Sequence, residues 1–164
     1  MKTVILAGGC FWGMEAYYSR LKGVVSTTVG YTDGPTENPT YRDVCQSVGH
    51  VEAILISYEE TVLSLDKILD HFVRVVDLTQ VNRQMHDVGI QYRNAVFFTD
   101  PADEAPIRTY LENYRKKIGK PIATYVKAAT PFYPAEEYHQ KYLDKNPGGY
   151  CHINLGLLKP EERR

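Results

Sequence analysis

Cys10 stands in Gly8-Gly9-Cys10-Phe11-Trp12-Gly13, with glycines on both sides and the chain's only tryptophan two residues on. A strand-like run, Thr3 to Leu6, leads in, and an amphipathic run, Met14 to Leu21, leads out. The cysteine therefore falls at a strand-to-helix corner. A helix N-terminus carries partial positive charge and unpaired N–H groups. Both favour the thiolate, which is the nucleophile. The plain alternative is a buried structural cysteine in a tight turn, because free Cys is among the most buried residue types. The glycines argue for backbone access, and Phe11 with Trp12 makes an apolar wall beside the thiol.

A second group worth chemistry is Glu52. His50 to Tyr58 reads as a strand in which Glu52, Ile54, Ile56 and Tyr58 share one face by the period of two. If that face is buried, the carboxyl keeps its proton to higher pH and can donate it near neutrality. Otherwise it is a solvated carboxylate at a strand end. Thirteen tyrosines recur through the loops; they suit a site that needs phenolic hydroxyls, or simply pack at core edges. Together these groups describe a thiolate attacking an electrophile, either a sulfoxide sulfur or an acyl carbon. An acid and phenols would then stabilise the oxygen. A second thiol on a Gly-rich tail, Cys151, can resolve an oxidised first thiol as a disulfide.

The elements that must hold these residues follow from periodicity. Lys2 to Leu6 is a buried strand. Met14, Tyr17, Tyr18 and Leu21 recur at i, i+3, i+4, i+7 and mark a helix that Gly23 stops. Val24 to Gly30 is a second strand and His50 to Tyr58 a third. Between them, Tyr31 to Gly49 is a long loop of the kind that carries function. Ser64 caps a helix whose apolar stripe runs Leu65, Ile68, Leu69, Phe72, Val76. Asp77 to Arg93 is a second long polar stretch. Ala95 to Thr99 is a strand, and Asp100-Pro101 opens a helix that Gly119 ends, although Pro106 puts its first turn in question. Ile122 to Ala128 is a strand and Glu136 to Leu143 a short helix. The expected fold is α+β: a two-layer sandwich with a ferredoxin-like βαββαβ core and helices on one face of a mostly antiparallel sheet. A single catalytic domain spans 1–164, and a flexible tail, 144–164, carries Cys151.

Composition narrows the classes. The length suits one domain, and a net charge of −1 makes no case for nucleic acid or an anionic membrane. The N-terminal apolar run is too short for a signal peptide, and no run reaches the ~18 apolar residues of a membrane span. Three widely spaced cysteines are not a secreted disulfide framework; a reducing cytoplasm fits better. No spacing suggests a metal site, and the glycines do not form a nucleotide motif.

Five segments carry a resemblance: Gly9-Cys10-Phe11-Trp12-Gly13, Asn38-Pro39-Thr40-Tyr41, Gly49-His50-Val51-Glu52-Ala53, Asp87-Val88-Gly89-Ile90-Gln91-Tyr92-Arg93, and Tyr138 to Leu143 with Asn146-Pro147. In this order the chain resembles the A-type peptide methionine sulfoxide reductases over nearly its whole length. The resemblance implies reduction of the S epimer of methionine sulfoxide, free or in proteins. Cys10 would attack the sulfoxide sulfur. A protonated Glu52, with Tyr41 and Tyr92, would hydrogen-bond the oxygen, and Asp87 would orient the network. Phe11 and Trp12 would pack on the substrate's ε-methyl group. Cys10 would become a sulfenic acid, a resolving cysteine would form a disulfide, and thioredoxin would reduce it. No bound cofactor is implied, and a monomer suffices. Cys151 is the expected resolving residue and Cys45 its competitor. Met85, His86 and Asn94 depart from the family's usual residues. Two other readings stand beside this one: a Cys-His hydrolase or acyltransferase, and a non-enzymatic thiol redox sensor.

Overall fold

Lys2–Ala7 forms the central strand β1 of a six-stranded sheet. Its apolar run is continuous because both faces are covered: Val4 and Leu6 enter one cluster of buried residues, Ile5 and Ala7 the other. The computed structural model describes residues 1–34, 39–45, 49–84, 87–146 and 153–164. Cys151, Met85 and His86 lie outside them, as does the side chain of Cys45.

The other elements are α1 (Phe11–Tyr18), β2 (Val24–Thr32), α2 (Tyr41–Cys45), β3 (Val51–Tyr58), α3 (Leu65–Val75), β4 (Arg83–Gln84), β5 (Asp87–Val88), β6 (Ala95–Phe98), α4 (Glu104–Ile118), β7 (Tyr125–Ala128), β8 (Tyr133–Pro134) and α5 (Tyr142–Lys145). The strand order is β7-β6-β1-β3-β2-β8, with β4 and β5 paired separately. Neighbours in the large sheet are antiparallel except β6 and β7, which are parallel. The sheet is thus mixed and the fold is α+β. Apolar residues of α1, α3 and α4 join one cluster with Leu6, Val29, Ile54, Ile56 and Val96, so these helices cover one sheet face.

Several boundaries differ from the sequence expectation for identifiable reasons. Helix α1 begins at Phe11 rather than Met14, because Cys10 itself is the N-cap and the Phe11 N–H finds a partner across the sheet. The helix expected over Glu136 to Leu143 is broken. A 3-10 turn, Glu137–His139, is followed by Lys141 at φ 55° and only then by α5. The break is held by side chains. Gln140 accepts from the Val29 N–H at 3.1 Å and donates to Val29 O at 2.9 Å, while the Lys141 N–H donates to Glu15 Oε1 at 2.6 Å. Helix α3 has its Ser64 cap, accepting from the Lys67 N–H. Pro106 falls in the first turn of α4, where its missing N–H costs nothing. Short strand β8 was not legible from pattern; it pairs with Gly30 and Tyr31, and approaches so closely that a Cβ at Gly30 would lie 2.4 Å from Tyr133 O.

The described end of the chain, 153–164, returns over α1 and α3. Ile153 and Leu158 are buried, the Lys22 N–H donates to Glu162 O at 2.8 Å, and Arg74 binds the Glu162 carboxylate at 2.8 and 3.2 Å.

Candidate active site

Gly9, at φ 91°, turns the chain out of β1 so that Cys10 caps α1. Glycine adopts that conformation at no steric cost. Cys10 is 8% exposed. Strand parity aims Glu52 inward as expected: Ile54, Ile56 and Tyr58 lie in the main cluster, and Glu52 is 1% exposed. The residue after the thiol binds it, since the Phe11 N–H donates to Glu52 Oε1 at 3.2 Å. The first turn of α1 thereby fixes acid and thiol to one another.

Burial pushes the Glu52 carboxyl up to about 8; the Phe11 N–H holds it back, and the charge of Asp87 adds to the rise. Two carboxyl groups near each other resist ionising together. Its second oxygen, Oε2, has no hydrogen-bond partner among the described residues. A carboxyl with this environment is protonated at neutral pH and available as a donor.

Asp87 reaches the site from β5, held opposite Gln84 of β4. The 3-10 turn Ile90–Tyr92 carries Tyr92 and packs on β3. Arg93 clips this turn in place: it donates to Ile90 O (2.8 Å), Gly49 O (3.1 Å) and Asp33 Oδ2 (3.2 Å). The departure residue Asn94 is buried and joins Gln80 O to Thr124, so it ties the polar stretch to the strand region beyond α4.

The aromatic wall is more elaborate than Phe11 and Trp12 alone. Trp12 stacks on Tyr142 at 3.8 Å between ring centroids, 10° from parallel. Its Nε1–H donates to His139 Nδ1 at 3.1 Å. The His139 ring also packs against Phe11 (5.3 Å) and Tyr41 (4.5 Å). Burial lowers the His139 pKa, against the pull of Glu136, which favours the neutral imidazole that accepts the indole N–H. Tyr31 stands directly opposite Glu52 on β2, 5.7 Å from the Phe11 ring. Its hydroxyl donates to Glu136 Oε1 at 2.9 Å, and Glu136 Oε2 accepts the Tyr41 N–H at 3.1 Å.

The described structure therefore gathers Cys10, Phe11, Trp12, Glu52, Asp87 and Tyr41 about one corner, with Tyr92 on the turn packed against β3. Cys151 lies outside the described residues. Sequence reasoning gave no role to Tyr31, Glu136 and Gln140, and considered His139 only among the imidazoles a Cys-His hydrolase would use. Three of these lie in or beside the Tyr138 to Leu143 segment, whose likeness to a family was visible but whose chemistry was not. Tyr31 was placed in a loop because the strand was ended at Gly30.

Residues 2–163 match the family model for peptide methionine sulfoxide reductase. The chain is 53% identical over 153 residues to peptide methionine sulfoxide reductase MsrA of Lachnoclostridium phytofermentans, covering 93% of this chain and 92% of that one. Its structure is similar to reduced Mxr1 from Saccharomyces cerevisiae, with a TM-score of 0.85, 36% identity, and coverage of 93% of this chain and 91% of that one. It also resembles Mxr1 in complex with Trx2, with a TM-score of 0.60, 29% identity, and coverage of 86% and 84%. With thiol, acid and aromatic wall assembled at one corner of the sheet, and with likeness running from end to end of the sequence, the chain belongs to the peptide methionine sulfoxide reductase family.

Proposed function

We propose that Cys10 is the nucleophile of a peptide-methionine (S)-S-oxide reductase and Glu52 its proton donor. As a family member the chain reduces methionine sulfoxide, free or in proteins, to methionine. The Cys10 thiolate forms a bond to the sulfoxide sulfur while Glu52 gives its proton to the oxygen. Tyr41 and Tyr92 donate hydrogen bonds to that oxygen as negative charge develops on it. Burial keeps Glu52 protonated, and the charge of Asp87 adds to the cost of a second charge. Phe11 and Trp12 receive the ε-methyl group. The S–O bond and the new bond between the two sulfurs then break as the oxygen passes to Cys10: methionine departs, Cys10 becomes a sulfenic acid, and the two electrons it loses reduce the sulfoxide sulfur. The Cys151 thiol then attacks Cys10, water leaves, and a disulfide forms. A dithiol reductant restores both thiols by exchange; the complex of Mxr1 with Trx2 supports a thioredoxin in that role.

The observation that carries this reading is the buried Glu52 carboxyl bonded to the backbone of the residue following Cys10. A Cys-His hydrolase would use an imidazole for its proton transfers, and neither it nor a redox sensor would have a use for a buried carboxylic acid at this place. The same proposal takes 1–164 as one catalytic domain, monomeric and cytoplasmic, with no bound cofactor. The four strands β6-β1-β3-β2, with α1 and α3, are its ferredoxin-like core, and segment 144–164 is the tail that carries the resolving Cys151. Among the described residues no helix is long and apolar enough to cross a membrane.

The test is one turnover without reductant. Reduced protein is mixed with each enantiomer of a methyl aryl sulfoxide, free thiols are counted, and disulfides are mapped by mass spectrometry. Consumption of the S form alone, with a Cys10–Cys151 bridge, is the expected result. A Cys10–Cys45 bridge would transfer the resolving role, and consumption of neither enantiomer would refute the enzyme.

A further inference from the structure

We infer that Glu136 is a positioning residue for Tyr41, acting through a carboxylate bridge between the sheet and the segment that carries the phenol. This rests on the reading of Tyr41 as a donor to the sulfoxide oxygen. Tyr41 begins a five-residue helix outside the sheet, whereas Glu52 belongs to one of its central strands. Two groups on different supports need a link if they are to meet one small oxygen.

Glu136 supplies that link. Tyr31 is the direct cross-strand partner of Glu52, fully buried, and its hydroxyl donates to Glu136 Oε1 at 2.9 Å. The second oxygen accepts the backbone N–H of Tyr41 at 3.1 Å. The backbone of Tyr41 is thus two hydrogen bonds away from the strand position beside the acid. The 3-10 turn that follows Glu136 also brings His139 against the Tyr41 ring at 4.5 Å, so backbone and ring are held by the same four residues. The turn is itself fixed to β2 by Gln140 on Val29. Burial alone would raise the Glu136 carboxyl, but its own N–H, that of Tyr41 and the Tyr31 hydroxyl outweigh it, so the group is an ionised double acceptor.

Donor and acceptor logic separates this role from general support. Glutamine offers one acceptor and one donor. Its oxygen can take the Tyr41 N–H, and its amide N–H can donate to the Tyr31 hydroxyl, which accepts equally well. Alanine removes both bonds. Because two phenols share one oxygen, the effect is read with Tyr92 already removed, so that Tyr41 is the remaining phenol.

Single-turnover rates on the S sulfoxide are measured in a Tyr92→Phe background. Glu136→Ala is expected to slow the chemical step by roughly 10- to 100-fold, the scale of a misplaced catalytic group, and Glu136→Gln to stay within about threefold of its background. Adding Tyr41→Phe should cost nothing further once Glu136→Ala is present. A further multiplicative loss from Tyr41→Phe would overturn the proposal, because Glu136 would then act elsewhere, and an Ala variant as fast as its background would do the same. Should Glu136→Ala fail to fold, Tyr31→Phe carries the test: it breaks the bridge on the sheet side, and its cost must likewise vanish when Tyr41 is Phe. If Tyr41→Phe is harmless beside Tyr92→Phe with Glu136 intact, the reading of the phenols fails first, and this inference with it.

Discussion

Replacing Glu52 with Gln removes the proton donor while keeping the shape of the site. The amide oxygen can still accept the Phe11 N–H, which donates to Oε1 at 3.2 Å in the native chain. What disappears is the ionisable proton, raised by burial to about 8 from an ordinary 4.5. Loss of a general acid costs about 10²–10⁴-fold in the chemical step. The wild-type rate should hold below pH 8 and fall about tenfold per unit above it, as the carboxyl ionises; the variant should be slow and flat over that range. Stability supplies a second reading of the same proton. Between about 4.5 and 8 the folded chain keeps a proton that the unfolded chain releases, so wild-type stability declines as pH rises through that window. A shift of this size corresponds to roughly 5 kcal/mol when complete, and the variant should lack the slope, so its advantage opens above about pH 4.5 and is complete by about pH 8. The assay is stopped-flow consumption of the S enantiomer from pH 6 to 9.5, with urea unfolding at the same pH values. A Gln variant within about threefold of wild type and showing the same alkaline limb would refute the assignment of Glu52, because a limb that survives removal of the group belongs to another group.

Other substitutions test the remaining supports. Cys151→Ser should still release one methionine per chain and stop at a Cys10 sulfenic acid trappable by dimedone, whereas Cys45→Ser should cycle normally with thioredoxin; the reverse pattern would make Cys45 the resolving residue. Arg93→Leu removes the guanidinium bonded to Ile90 O, Gly49 O and Asp33, and should slow the chemical step through Tyr92 while leaving the Cys10 thiol alkylatable, which iodoacetamide labelling reports. Glu162, held near 2 by Arg74, contributes stability above its ordinary pKa that is lost as pH falls from about 4.5 through 2; Glu162→Gln should cost roughly 1–3 kcal/mol at neutral pH, and thermal unfolding should show that difference vanish in strong acid. Gly30→Ala would drive a Cβ to 2.4 Å from Tyr133 O; displacement of β8 should lower the melting temperature, and an unchanged one would show that the edge gives way freely.

How much of this was legible in the sequence depended on the range of the forces involved. The Cys10 corner could be read because a strand, two glycines and a helical stripe are local signals. Glu52 could be aimed because strand parity is an alternation over a few residues, but whether that face is buried or solvated at the strand end stays open in the sequence, because burial depends on which helices cover the sheet. Asp87 and Tyr92 lie in a polar stretch without periodicity, so only the likeness of their motif singled them out. Glu136 and Gln140 were invisible for a different reason. Their partners, Tyr41 and Val29, are 95 and 111 residues away, and a carboxylate or amide that substitutes for a strand leaves no pattern in its neighbours. The same long-range bonds broke the helix expected over Glu136 to Leu143: local spacing favoured it, but Gln140 and Lys141 are bonded to β2 and α1 instead.

The amide of Gln140 on Val29 has a consequence for the company this protein keeps. An outer strand with free N–H and C=O groups invites pairing by any extended chain nearby. Methionine sulfoxide is polar and disrupts the cores it forms in, so an oxidised protein exposes such chains more readily. At Val29 both backbone groups are taken by one side chain, and at Gly30 and Tyr31 the partner is a two-residue strand ending in Pro134. Proline has no N–H to offer the next strand. From Val29 to Tyr31 that margin of the sheet is therefore closed to an incoming strand, which shortens the template it offers to an extended client chain.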